Sequence, residues 1–225
     1  MGKHGCGPAL KSVLIGLECL LILTIGAQAQ EDSLAPGINE IFKRQPDVSI
    51  RQFDFTNRDP RQQKEILDAC ALRPGMVVAD IGAGSGVHAR LFAEAVSPGG
   101  KVYAVDIMQE FLDHIEATCK GKGITNVLCV LGSDTSCNLK PGSVDVAFSS
   151  DTYHHFEYPF KMMASIRAAL RPNGKFILID FKDRSGHVRA DSKTVIEEIR
   201  RSGFRLIDSR EFANMFFLAR FAVLP

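Results

Sequence analysis

The chain carries almost no net charge, with Lys+Arg at 27 and Asp+Glu at 26 over 225 residues. It has no run of five or more like charges. Nothing in it therefore implies a nucleic-acid partner. It also lacks repeats of solenoid length and low-complexity tracts, which excludes array architectures. Its six cysteines include no C-x-x-C pair and no zinc-type spacing, so a metal centre is not expected. No apolar run reaches the roughly 20 residues that a spanning helix requires. What is present, 45% hydrophobic residues in a chain of this length, suffices for one domain with a sizeable core and is too little for two.

The first thirty residues differ from the rest. Lys3 and Lys11 precede the apolar run from Val13 to Ile25, and Ala27-Gln28-Ala29 follows. Basic start, short apolar run and small residues form the pattern of a secretory leader, with cleavage expected after Ala29. Glu18 inside the run opposes insertion, and an uncleaved anchor is the alternative. Either way the body of the protein is expected outside the cytosol, periplasmic or extracellular. Loss of residues 1–29 would leave Cys70, Cys119, Cys129 and Cys137, read as small buried side chains. A disulfide from Cys129 to Cys137 or Cys119 is permitted but not expected.

The rest of the chain is organised around one stretch, Val77-Val78-Ala79-Asp80-Ile81-Gly82-Ala83-Gly84-Ser85-Gly86. The apolar run reads as a buried parallel strand. Three glycines at alternate positions allow positive φ and a close approach of backbone to a ligand. Val87, Leu91 and Ala95, four apart, then start a helix. Strand, glycine turn and helix N-terminus make a nucleotide-type cradle. A dinucleotide fingerprint would put its third glycine at Val87. The spacing found, Asp80-x-Gly82-x-Gly84-x-Gly86, resembles instead the first motif of class I S-adenosylmethionine-dependent methyltransferases.

The resemblance extends from about Ile38 to the C-terminus. It implies a Rossmann-like α/β fold with a doubly wound seven-stranded sheet, mostly parallel, whose last strand is antiparallel. Strands are expected at Val77–Ile81, Lys101–Asp106, Val127–Leu131, Val144–Ser149 and Lys175–Phe181, with a closing hairpin over Phe204–Phe212 and Met215–Val223. Arg171-Pro172-Asn173-Gly174 is read as a turn. Residues 30–58 form an arm over the cofactor site and residues 59–225 the methyltransferase domain. In that arm Pro36-Gly37 and Pro46 break the chain, and Ile38 to Phe42 allow a helical turn. Asp59-Pro60 starts a helix.

The site follows from these placements. The resemblance assigns S-adenosylmethionine to Asp80, Gly82, Ala83, Gly84 and Gly86, with Asp106 on the ribose and Ile107 against the adenine. Ser133 and Asp134 stand by the adenine amino group. The fourth strand delivers Asp151 to the carboxyl edge of the sheet, beside the methyl donor. Tyr153, His154 and His155 follow as candidate catalytic groups. One histidine is expected to bond against the next helix while the other, with Tyr153, faces the pocket. The adjacent histidines suggest a metal, but no third ligand is evident. His187 and Arg189 are candidate substrate contacts. The expected reaction is direct displacement of the methyl group onto a small-molecule acceptor. Alternatives are a donor-binding protein without catalysis and a nicotinamide-dependent reductase. The last is disfavoured by the glycine spacing and by Glu157 where Tyr-x-x-x-Lys would need lysine.

Overall fold

The computed structural model describes residues 1–2, 33–56 and 59–224. Apart from its first two residues, the expected leader lies outside them. The elements in chain order are α1 (Glu40–Arg44), α2 (Pro46–Thr56), α3 (Pro60–Cys70), β1 (Val77–Ile81), α4 (Val87–Ala95), β2 (Lys101–Asp106), α5 (Gln109–Gly121), β3 (Val127–Leu131) and β4 (Val144–Ser150). A 3₁₀ turn (Tyr153–His155), α6 (Pro159–Ala169), β5 (Leu170–Phe181), α7 (Ser192–Arg201), β6 (Phe204–Phe212) and β7 (Phe216–Val223) complete the chain.

The seven strands form one sheet in the order β3-β2-β1-β4-β5-β7-β6. Pairing is parallel from β3 through β5, whereas β7 runs antiparallel to both β5 and β6. Strand order turns around between β1 and β4, which creates the crevice where open α/β sheets bind ligands.

Both faces of the central strands are buried, as parallel sheets require. Val78, Phe148, Ile177 and Ile179 pack in one layer with Phe92 of α4 and Leu112 and Ile115 of α5. Ala79, Ala147, Phe176 and Leu178 pack in the opposite layer with Met163 and Ile166 of α6 and Ile199 of α7. Alternate residues of one strand thus serve opposite layers.

Local signals explain most boundaries. The Asp59 side chain accepts the Arg61 amide at 2.9 Å, and Pro60 takes the first turn of α3, where its missing N–H costs nothing. Asp191 caps α7 by accepting from the Thr194 amide at 2.8 Å. Ala213 and Asn214 adopt φ of 44° and 59°, the left-handed pair that tight hairpins need.

Two expectations need correction. Pro46 does not interrupt the chain but opens the eleven-residue helix α2, because proline is disfavoured inside a helix and favoured at its start. Arg171–Gly174 lies within the span of β5, although it bulges: Val144 pairs with Leu170 and Val146 already with Lys175. Asn173, at φ 68°, supplies the bend. Arg171 reaches both oxygens of Asp145, at 2.8 and 2.7 Å. Asp145 in turn accepts the Val77 amide at 2.8 Å, which ties the bulge to the start of β1. The four cysteines from Cys70 onward are free thiols.

Candidate active site

The glycine turn is clamped to the neighbouring strand. The Gly82 and Ala83 amides both donate to the Val105 carbonyl, at 2.8 and 3.0 Å, and the Gly84 amide donates to Asp106 Oδ2 at 2.9 Å. Asp106 Oδ1 accepts the Met108 amide at 3.0 Å. Gly82, Gly84 and Gly86 all have positive φ. A Cβ on Gly82 would lie 2.2 Å from Thr152 Cγ2, and one on Gly86 would lie 2.7 Å from Ile115 Cγ1. The first glycine thus lets β4's exit loop approach, and the third lets α5 pack.

A cleft with about 670 Å³ of empty volume opens at the carboxyl ends of β1, β2 and β4, within the usual range for ligand sites. Gly82, Gly84, Asp106, Ile107, Ser133, Asp134, Asp151 and His155 all line it. Ala83, Gly86, Asp80, Tyr153 and His154 do not. Ala83 is packed in the core layer of α4 and α5, while Gly86 caps α4. Asp80 is buried at the end of β1, and its Oδ2 has no hydrogen-bond partner among the described residues.

Burial sets the electrostatics of these acids. It pushes the Asp80 carboxyl up to about 7, helped by the nearby Asp106 charge and opposed by the Ala89 amide and Arg90. Burial likewise raises Asp106 to about 6 against the pull of the Gly84, Met108 and Ile107 amides. Asp151, at φ 54°, occupies the left-handed region that Asp tolerates better than most residues. Its carboxyl is raised by burial as well.

The three candidates of the 3₁₀ turn separate. Tyr153 does not face the cleft. Its side chain is wholly buried, and its hydroxyl donates to Glu198 Oε2 of α7 at 3.0 Å. Burial and the Glu198 charge hold that phenol well above its ordinary value. His154 is buried against β5 rather than against the following helix. Its amide donates to Asp180 Oδ2 at 3.0 Å, and its Nδ1 is 2.7 Å from Asp180 Oδ1. His155 alone of the three lines the cleft, with its ring 4.9 Å from Phe42. Burial lowers its pKa to about 3, and the charges of His154 and His187 act the same way.

Further residues reach the site without a signal in the sequence reading. Asn39, 4% exposed, donates to the His155 carbonyl at 3.2 Å. Phe42, Phe53 and Phe111 meet with ring centroids 6.0 to 6.1 Å apart. The ring of Phe53 lies over Gly84, 3.0 Å from where a Cβ would stand. Asp180, by contrast, did carry a signal: it is an acid closing an apolar strand, the rule that found Asp80 and Asp106.

Arg189 is not free for a substrate. Its guanidinium grips Glu198 at 2.8 and 2.7 Å. His187 does come to the site. The turn Ser185–Val188, with Gly186 at φ 53°, brings its ring within 5.1 Å of His154 and 5.6 Å of His155. The third imidazole that the sequence did not reveal is therefore present, supplied by a loop more than thirty residues away.

Comparison with known proteins agrees with this architecture. Residues 79–178 match a family model described as a methyltransferase domain. An uncharacterized 37.1 kDa protein in a transposon of Streptomyces fradiae is 31% identical over 183 residues, covering 77% of this chain and 51% of that protein. A protein-L-isoaspartate O-methyltransferase of Methanococcus aeolicus is 40% identical over 70 residues, 31% of this chain and 32% of that one. The chain thus spans about half or less of the length of these relatives. A SAM-dependent methyltransferase from Aquifex aeolicus superposes with a TM-score of 0.71 at 22% identity, covering 79% of this chain and 98% of the other. The chain carries a methyltransferase domain on the class I S-adenosylmethionine-dependent methyltransferase fold.

Proposed function

We propose that this protein transfers the methyl group of S-adenosylmethionine to a small-molecule acceptor by direct displacement. One observation carries the reading: the amide of Gly84 and the carboxylate of Asp106 are bonded to each other on the wall of a single cleft at the sheet's switch point.

The residues present fit the donor. Each Asp106 oxygen accepts one backbone amide and keeps a lone pair, so the carboxylate can take the ribose hydroxyls. Ile107 and Met108 offer an apolar face to the base, and Ser133 and Asp134 offer polar groups at the end of β3. Buried Asp80 Oδ2, lacking a donor of its own among the described residues, suits the cationic amino-acid end. When bound, the donor supplies an electrophilic methyl on a sulfonium whose charge is lost as the methyl moves.

The chain's own groups then align and enclose. The Gly82 to Gly86 turn fixes the loop through its bonds to β2, so orientation is built in before binding. Phe42, Phe53 and Phe111 wall the cleft with rings that exclude water. Tyr153 is committed to Glu198 and takes no part in proton transfer. His155 is neutral at physiological pH and faces the cleft, placed to accept a proton from an acceptor that must lose one.

The acceptor class is read from the walls. A cleft capped by aromatic rings suits a small apolar or aromatic molecule better than a folded protein, although one relative carries a protein substrate in its name. Calorimetric titration with S-adenosylmethionine, followed by a screen with methyl-labelled donor over small hydroxyl, thiol and amine compounds, tests the proposal. Micromolar donor binding and label transfer are expected. No donor binding at millimolar concentration overturns it, and donor binding without transfer to any acceptor leaves a cofactor-binding protein. Export belongs to the same proposal and rests on the leader pattern of residues 1–29. Intact-mass measurement of the protein from its natural compartment checks for a mature chain beginning at Gln30.

A further inference from the structure

His154, His155 and His187 each place a ring nitrogen so that the three lie within 4.8 Å of one another. Tetrahedral zinc with ligands at about 2.1 Å would set such nitrogens about 3.4 Å apart. Closing that difference asks only for a small movement of the exposed turn that carries His187. Two of the rings are prepared for it. His154 meets Asp180 Oδ1 through Nδ1 at 2.7 Å, which leaves Nε2 with its lone pair free. A carboxylate behind a ligating imidazole is the usual way such a ring is oriented and made more basic. The buried His155 Nδ1 has no hydrogen-bond partner among the described residues, an expensive omission for a polar atom. Burial also keeps His155 neutral, the form that binds metal.

We propose that His154, His155 and His187 form a mononuclear site for a divalent, zinc-type cation at the Asp151 side of the cleft, with Asp180 orienting His154 from behind. The donor set is all imidazole, with Asp151 and Asp180 within reach of His154. It suits zinc, copper, nickel or ferrous iron and disfavours calcium and magnesium, which take oxygen ligands. Three protein ligands leave a fourth position, and Asp151 and His155 both line the cleft, so that position opens toward it. If the methyl-transfer reading above holds, the open position faces the acceptor and favours one with an ionisable hydroxyl or thiol.

Cation binding is tested apart from methyl transfer. The full chain, stripped of metal by chelator and dialysed, is titrated calorimetrically with zinc chloride. Cobalt(II) is then added in parallel and followed by visible absorption. One equivalent of zinc is expected, and a tetrahedral cobalt spectrum without a thiolate charge-transfer band, which separates the histidines from Cys119 and Cys129. His187→Ala, on an exposed turn, should keep the fold and lose binding by at least about 100-fold, while Asp180→Asn should weaken it about 10- to 100-fold. His114→Ala should change nothing. Absence of a zinc equivalent in the wild type, or undiminished binding in both His187→Ala and His155→Ala, overturns the site. Titration of the same samples with S-adenosylmethionine reads the donor cleft separately, so neither failure can be mistaken for the other.

Discussion

Asp80 and Asp106 are two carboxyls near the same turn, and burial raises both. The Asp80 carboxyl sits at about 7 in the folded chain against an ordinary value of 3.8. The native state therefore keeps a proton that the unfolded chain releases. The stabilisation is complete below about pH 4 and drains away as pH rises through about 7. Asp80→Asn should accordingly flatten the fall in Tm between pH 4 and 7.5 measured without ligand; a slope equal to the wild type's would exclude Asp80 as its source. Asp106→Ala should weaken S-adenosylmethionine about 10- to 100-fold by calorimetry, the worth of a charge-assisted hydrogen bond, and unchanged affinity would remove Asp106 from the donor site. Acids at strand ends could be read from the sequence because an acid closing an apolar run has few structural reasons to be there. The Tyr153-His154-His155 triplet could not be sorted in that way. A 3₁₀ turn advances about three residues per revolution, so neighbouring side chains leave in three directions. One goes to Glu198, one to Asp180 and one to the cleft.

Among the elements, the strands and helices of the alternating core fall close to where the period and turn residues put them, since each strand feeds two apolar layers. Loops were harder, because their partners are distant in sequence. The segment Lys182–Ala190 carries His187 to two histidines of the β4 exit, and nothing local marks that encounter. What fixes the segment is Arg189, paired with Glu198 and 5.9 Å from the Tyr153 ring. Glu198 is only 8% exposed. Arg189→Ala would strand a buried carboxylate and should cost about 3 kcal/mol by denaturant unfolding, whereas a surface contact would cost under about 1 kcal/mol. The glycine turn offers a second test. Gly82→Ala places a methyl against Thr152 at a positive φ, so donor binding should fall below detection, with loss of stability in thermal melts. Retained affinity would show that the turn has more slack than its packing indicates.

At the scale of the molecule, the sheet's reversal between β1 and β4 decides where chemistry happens, and the segment from Ser33 to Phe53 decides who enters. Leu34 donates to the Glu157 carbonyl at 2.8 Å and Gly37 to the Glu157 carboxylate at 3.1 Å. Phe42 and Phe53 close on Phe111, Ile107 and Met108. Phe53→Ala should therefore speed release of S-adenosylmethionine, and stopped-flow fluorescence with an unchanged off-rate would argue against a covering role. The two flanks of the cleft are held by different means. One is stapled by an ion pair reaching into α7, and the other leans together through rings that can slide without breaking a charged contact. Traffic in and out should pass beneath the aromatic flank. Selection for a new acceptor would accordingly begin with Phe42 and Phe53, leaving the histidine rim in place.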